Sequence, residues 1–217
     1  MAKLNVAGKS GRFVAFEGGE GAGKSTQVKL LARALEAVGI TVDVTREPGG
    51  TSGAEAIRNL LLSPPNGASW GARAEALLFA AARSDHVEQR IVPALERGEW
   101  VLCDRFLDSS RAYQGGASGL GDDTILRLHQ IGSEGILPDV TLLLEVDPES
   151  AAERLAKRDG GENDAIGGRS AEYHAAVGDT FRALAHADTD RFAIIDGNGS
   201  ADEVHAQVWQ AIQRFLP

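Results

Sequence analysis

Hydrophobic residues in this chain form five short runs, separated by longer segments in which the apolar positions are spaced differently. The runs cover residues 13–16, 42–45, 100–103, 140–146 and 192–195. Each run is nearly continuous, rich in β-branched or other apolar residues, and followed by a turn signal. That pattern is typical of strands that a parallel sheet buries on both faces. The sequence therefore predicts five buried parallel strands.

The segments between the runs carry apolar residues at helical spacing. Residues 27–38 place Val28, Leu31 and Leu35 on one stripe, and residues 74–95 continue the same pattern over a longer stretch. Strands that alternate with helices predict an α/β fold of three layers, a five-stranded parallel sheet flanked by helices. In such folds ligands bind at the carboxyl ends of the strands.

Composition narrows the classes of function. The chain has 217 residues and a formal net charge of −9, so an anionic ligand requires a local cluster of bases and nonspecific nucleic-acid binding is disfavoured. No apolar run approaches the roughly 18 residues that cross a bilayer, and the N-terminal segment has no signal-like apolar stretch. Cys103 is the only cysteine. We therefore expect a cytoplasmic protein that binds neither membrane nor nucleic acid.

The tetrapeptide Ala-Gly-Lys-Ser occurs twice, at residues 7–10 and 22–25. A phosphate-binding loop needs a glycine five positions before the Gly-Lys pair, and only the second copy has one, Gly18. It also lies between a predicted strand and a predicted helix, whereas residues 1–11 are expected to be a disordered leader. The predicted contacts of the nucleotide phosphates are Gly18, Gly19, Glu20, Gly21, Ala22, Gly23, Lys24, Ser25 and Thr26. Lys24 reaches the terminal phosphates, and Ser25 is a predicted ligand of Mg²⁺.

A second pair of charged residues follows the third predicted strand. Asp104 is placed to hold Mg²⁺ together with Ser25, and the planar guanidinium of Arg105 suits a second phosphate group. Two separate phosphate-binding sites indicate transfer of a phosphoryl group between two ligands. A GTPase switch is disfavoured because no asparagine is followed by lysine, as guanine recognition would require.

From about Arg12 to the C-terminus the sequence resembles the thymidylate kinase family. The resemblance rests on LCDRFLDSSRAYQ at residues 102–114, TREPGGT at residues 45–51 and LLFAAARSDHV at residues 77–87. It implies a single P-loop nucleotide kinase domain over residues 12–217, with a mobile lid. It also implies transfer of the γ-phosphoryl group of ATP to dTMP, with Mg²⁺, for dTTP synthesis, and a homodimer formed by packed helices.

The resemblance also implies the residues that bind dTMP. Phe79 stacks on the thymine and Arg83 donates to its O4, Tyr113 lies against the deoxyribose, and Arg46 and Arg105 hold the acceptor phosphate. The full predicted set is Glu20, Arg46, Pro48, Phe79, Arg83, Arg105, Ser109, Tyr113 and Gln114.

Some members of the family carry an arginine in the phosphate loop, at the position where this chain has Gly21. Its absence implies a catalytic arginine on the lid, predicted at residues 157–169. The available bases are Arg154, Lys157, Arg158 and Arg169, of which Arg158 and Arg169 are the candidates with Lys24, Asp104 and Arg105 for catalysis. Residues 196–199 are expected beneath the adenine.

Two alternatives remain open on the residues alone. One is a deoxynucleoside kinase, whose acceptor has no phosphate and would have less use for Arg46 and Arg105 together. The other is a noncatalytic ATPase, which would not need the residues that bind thymine. The five histidines, His86, His129, His174, His186 and His205, show no metal-ligand spacing and are expected on the surface or on helix faces. Cys103 is expected in the core.

Overall fold

The computed structural model describes residues 11–65, 69–159 and 165–216, with the side chains of residues 157–159 outside that description. Its sheet consists of β1 (Arg12–Glu17), β2 (Val42–Arg46), β3 (Trp100–Asp104), β4 (Val140–Glu145) and β5 (Phe192–Asp196). The order across the sheet is β2-β3-β1-β4-β5, and every pairing is parallel. All five predicted strands are confirmed, and no strand end differs from the prediction by more than one residue.

Nine α-helices lie among the described residues. They are α1 (Lys24–Ala37), α2 (Ser52–Leu62), α3 (Ala72–His86), α4 (Val92–Glu96), α5 (Leu107–Ser110), α6 (Asp122–Ser133), α7 (Pro148–Asp159), α8 (Ala171–Ala187) and α9 (Ala201–Ile212). A π-helical segment, Val87–Ile91, joins α3 to α4, so the helix predicted over residues 74–95 is continuous but changes its hydrogen-bond pattern midway. A second π-helical segment, Arg111–Ala117, extends α5. Such segments are rare and frequently mark functional sites.

The core lies on both faces of the sheet, which confirms the three layers. On one face α1 and α9 bury Leu31, Leu35 and Val208 against Phe16 and Leu142. The other face packs Phe13 and Val101 against Ile91 and Phe106. Alternate residues of β1 thus enter different clusters, as the period of two in a strand requires.

The strand order decides where the sequence motifs meet. β3 lies between β1 and β2, so Asp104 is level with Phe16 on one side and with Arg46 on the other. The three segments that follow these strands therefore start from one edge of the sheet. They are the phosphate loop, the Asp-Arg signature and the TREPGG loop, which are distant from one another in the sequence.

Two of the five histidines lie on helix faces but are buried, so a surface position is wrong for them. His86 is fully buried, with Nδ1 3.0 Å from Glu47 Oε1 and Nε2 2.7 Å from Thr45 Oγ1. His129 is buried against Phe106, and burial, together with the nearby charge of Arg83, lowers the pKa of His129 to about 4. Both lie on helices, but on their inner faces. Cys103 is buried as predicted, and burial raises the pKa of its thiol.

In the part of the chain that the structure describes, no helix is both long and apolar enough to cross a membrane. The predicted leader lies outside the described residues, except for Gly11. The middle of the predicted lid, residues 160–164, lies outside them as well.

Candidate active site

The phosphate loop connects β1 to α1 and depends on glycine. Gly18, Gly21 and Gly23 all have positive φ angles, of 137°, 72° and 91°. A Cβ atom would meet the carbonyl oxygen of Leu144 at 2.4 Å if added to Gly18, and that of Ala151 at 2.5 Å if added to Gly21. Glycine is therefore required by backbone conformation and by space at the first two positions. The loop ends where α1 begins, so the positive end of the helix dipole faces it.

Lys24 is held over this loop. Its Nζ donates to the carbonyl oxygens of Gly18 at 3.1 Å and Gly19 at 2.7 Å. Burial, reinforced by the positive charge of Arg105, lowers the pKa of Lys24 to about 8. An anionic phosphate placed in the loop would compensate this buried ammonium.

Ser25 and Asp104 come together as the sequence predicts. The Ser25 hydroxyl donates to Oδ2 of Asp104 at 2.5 Å, across the gap between α1 and β3. No cluster of three or more histidine, cysteine or acidic residues able to cage a metal occurs among the described residues. One hydroxyl and one carboxylate fit Mg²⁺, which usually binds through one or two protein oxygens, with water and substrate phosphates completing its shell.

Arg105 lies between the phosphate loop and the side of the site where the acceptor is predicted to bind. Its backbone is left-handed, with φ of 70°, a conformation that non-glycine residues rarely adopt. Its guanidinium donates to the Gly18 carbonyl and Ser109 Oγ at 3.0 Å each, and to Glu20 Oε1 at 2.5 Å. The guanidinium also lies 5.2 Å from the centre of the Tyr113 ring. One side chain thus contacts both halves of the site.

Glu17, which the sequence analysis missed, fixes the backbone around Arg105. Its fully buried carboxylate accepts from the backbone N–H of Phe106 at 2.8 Å and of Ser109 at 3.0 Å, and from Ser109 Oγ at 2.5 Å. Burial and the negative charge of Asp108 raise the pKa of Glu17 to about 7. The only signal in the sequence is an acidic residue at the end of a buried strand.

A cavity of about 610 Å³ opens beside the loop and has the size of a small-ligand site. Lys24, Ser25 and Asp104 line one part of it. The lining also includes all nine of the predicted acceptor residues: Glu20, Arg46, Pro48, Phe79, Arg83, Arg105, Ser109, Tyr113 and Gln114. The structure therefore brings the whole predicted dTMP set to one cavity.

Arg83 is fixed in this cavity by groups that accept hydrogen bonds. Its Nε donates to Glu47 Oε2 at 2.7 Å, and its Nη2 donates to Ser110 Oγ at 2.8 Å and to the Phe106 carbonyl at 3.1 Å. Glu47 is the second residue that the sequence analysis missed. Its other carboxylate oxygen, Oε1, accepts a hydrogen bond from Nδ1 of His86. Although burial by itself raises the pKa of Glu47, Arg83 and His86 lower it overall, so the carboxylate is ionised at neutral pH.

Of the two predicted lid arginines, only Arg169 has a described side chain. Arg169 pairs with the buried Glu75 and with Tyr173, and it does not line the cavity. The side chain of Arg158 lies outside the described residues. Arg154 does line the cavity: it donates to the Gly197 carbonyl at 2.8 Å, and its Nη1 lies beside Gly23 of the phosphate loop.

The segment of residues 196–199 lies against the phosphate loop. The N–H of Gly197 donates to the Glu145 carbonyl at 2.6 Å, which joins the ends of β5 and β4. A Cβ at Gly197 would lie 3.5 Å from the Ala22 carbonyl. The segment is thus beside the nucleotide loop, although it does not line the cavity.

A parallel sheet with a phosphate loop after its first strand, facing an arginine-lined cavity of nucleotide size, defines the class of P-loop nucleotide kinases. Comparison with known proteins specifies the family. A family model described as thymidylate kinase matches residues 16–208. A thymidylate kinase from Rhizorhabdus wittichii is 55% identical over 95% of this chain and 99% of the relative. One from Rhodopseudomonas palustris is 48% identical over 95% of this chain and 90% of the relative.

The fold agrees with the same family. The crystal structure of thymidylate kinase from Ehrlichia chaffeensis matches with a TM-score of 0.77 and 31% identity, over 94% of this chain and 100% of that one. The chain belongs to the thymidylate kinase family.

The raised pKa of Glu17 predicts a pH-dependent stability. The group stabilises the fold fully below its unfolded pKa of about 4.5, and this contribution is lost as the pH rises through its folded pKa of about 7. The shift corresponds to roughly 3 kcal/mol at most. Glu17→Gln keeps a neutral group of the same shape. The unfolding free energy of this variant, measured by urea denaturation, should therefore rise relative to that of the wild type as the pH increases from 4.5 to 7.

The exposed Glu36→Gln substitution is the matched control, and its curve should stay parallel to that of the wild type. His129 changes stability in the opposite direction over an overlapping range, because its pKa is lowered. The comparison between variants removes that contribution. A constant difference between Glu17→Gln and wild type across this range would contradict the assignment.

Proposed function

We propose that the residues around the 610 Å³ cavity carry out the reaction of the thymidylate kinase family in this chain, which phosphorylates dTMP with ATP as the donor. The observation that supports this site is the position of Arg105. Its guanidinium bonds to the phosphate loop through Gly18 and to the acceptor side through Ser109 and Glu20. A single fixed charge can therefore act on both reacting phosphates.

The acceptor is a phosphate monoester that is already ionised near neutral pH, so the reaction needs little help from a general base. Alignment and charge neutralisation must lower the barrier. In this proposal Lys24 holds the β- and γ-phosphates of ATP in the loop, and Arg105 with Arg46 restrains the phosphate of dTMP in line with them. Ser25 and Asp104 would hold Mg²⁺, which when bound neutralises phosphate charge.

Helix α3 supplies the two residues that are proposed to bind the base. Phe79 offers its ring to the thymine, and Arg83, one turn further along the same helix, presents its remaining N–H groups towards O4. Tyr113 takes the deoxyribose side. Since the cavity contains both Arg46 and Arg105, an acceptor that carries a phosphate suits it better than a nucleoside does.

We further propose that the catalytic unit is one domain over residues 12–217 and that it works in the cytoplasm. The support for the location is indirect: the single cysteine is buried and has no partner within the chain. Residues 196–199, beside the phosphate loop, are proposed to lie under the adenine.

The test of this function combines a panel of acceptors with one variant. ADP release is measured with ATP and dTMP, dUMP, dCMP, AMP or dGMP, and dTMP should give the highest kcat/KM. Lys24→Met should lower kcat by about 10²–10³-fold because it removes a charge from the transferring group. It should remain folded, since it also removes a buried ammonium. Equal rates across the panel, or acceptor-independent hydrolysis, would exclude the proposal.

Arg154 is proposed to supply the charge that the sequence analysis assigned to Arg158 or Arg169, because it alone of the three has a described side chain in the cavity. Arg154→Ala should lower kcat by about 10²-fold. Arg182→Ala, which alters an exposed arginine of α8, should leave kcat unchanged. If Arg154→Ala retained full turnover, the lid charge would have to come from elsewhere.

A homodimer is proposed from three neighbouring helices on one face of the sheet. α3 packs against α2 and α6, and each of the three carries a large exposed apolar residue: Leu60, Leu77 and Ile131, the last 83% exposed. Isolated exposed apolar residues are common, but a group on adjacent helices is typical of an interface.

Ile131→Glu should therefore shift the protein from dimer to monomer in size-exclusion chromatography with light scattering at micromolar concentration. Val38→Glu changes an equally apolar exposed residue at the end of α1, on the opposite face of the sheet, and should leave the mass unchanged. A monomeric wild type would refute the dimer, and a dimer unaffected by Ile131→Glu would exclude this face.

A further inference from the structure

Glu75 is a buried acid that the proposed mechanism does not use. It lies on α3, only 4% exposed, behind the wall of the cavity. Its Oε1 accepts from Nε2 of Gln114 at 2.8 Å, and its Oε2 pairs with the guanidinium of Arg169. Gln114 lines the cavity, so Glu75 joins a cavity residue to an arginine that lies just before α8.

This contact fixes the orientation of the Gln114 amide. A carboxylate only accepts hydrogen bonds, so the amide must turn its NH₂ group towards Glu75. Its carbonyl oxygen is then the atom left for a ligand, and no group among the described residues donates to it. Arg169 compensates the charge of the buried carboxylate and is itself held by Tyr173, whose hydroxyl also donates to the Tyr113 carbonyl.

Arg83 provides the complementary group. Glu47, Ser110 and the Phe106 carbonyl fix its guanidinium, which can only donate. The cavity thus presents a fixed donor and a fixed acceptor. A thymine or uracil edge offers an acceptor at O4 and a donor at N3–H, and matches both. Cytosine offers an amino donor at C4 and an acceptor at N3, and opposes both.

We propose that Glu75 is the positioning residue for base selection: it holds Gln114 in the orientation that accepts from a pyrimidine N3–H, and so excludes aminopyrimidine nucleotides, while Arg169 holds Glu75. The inference rests on the proposed function, since it assumes that dTMP occupies this cavity. It assigns Arg169 a contact behind the base instead of one with the phosphates.

The test is Glu75→Gln, which replaces an acceptor-only group by one that can also donate. The Gln114 amide is then free to turn. The ratio of kcat/KM for dTMP to that for dCMP should fall by about 10²-fold, mostly through KM, while the KM for ATP stays unchanged. The ratio for dTMP to dUMP should not change, because both bases present the same edge. A general loosening of the site would alter both ratios.

Two further variants complete the design. Glu75→Asp keeps an acceptor-only group and should retain most of the selectivity against dCMP, even if Glu75→Gln fails to fold. Glu88→Gln alters an exposed acid in the helical segment that follows α3 and should change neither ratio. Unchanged selectivity in folded Glu75→Gln, or lost selectivity in folded Glu75→Asp, would overturn the role of Glu75. A wild-type enzyme without preference for dTMP would instead overturn the proposed function.

Discussion

The site depends on the burial of the Glu17 carboxylate between β1 and the segment that follows β3. Three donors from that segment converge on one acid, and this holds Arg105 in its left-handed conformation between the two halves of the cavity. A charge without solvent is costly unless it is well bonded, which the raised pKa of Glu17 reflects. The structure accepts this cost at the point where the phosphate loop and the Asp-Arg signature must be aligned.

Buried acids also fix side chains in the part of the cavity where the base is proposed to bind. Glu47 fixes Arg83, and Glu75 contacts Gln114, so each buried acid holds a side chain that lines the cavity. Hydrogen bonds to charged groups are stronger than neutral ones, and they leave the partner little freedom. Rigid recognition groups lose less conformational entropy when a ligand binds. In a chain with a net charge of −9, acids that are buried and paired in this way also add little to the repulsion of an anionic substrate.

The sequence alone predicted the strands, the phosphate loop and the Asp-Arg signature, because each of these depends on residues that are close together in the sequence. Gly18 and Lys24, for instance, are separated by a fixed spacing that the loop geometry demands. The supporting acids were missed because their partners are distant: Glu17 binds a backbone N–H 89 positions away, and Glu75 binds Gln114 39 positions away. No local pattern records which elements lie side by side; the sheet order β2-β3-β1-β4-β5, for example, places β1 beside β3 and so creates the contacts of Glu17.

The choice among lid arginines shows the same limit. Sequence reasoning compared Arg158 and Arg169 by their place in a glycine-rich segment, where spacing carries no periodicity. In the structure, Arg154 lies one turn before Arg158 on α7, and the contact of Ala151 with Gly21 brings that helix against the phosphate loop. A residue with a Cβ at position 21 would force α7 away. Glycine at position 21 therefore also admits α7, the helix that carries Arg154, the residue proposed to supply the lid charge.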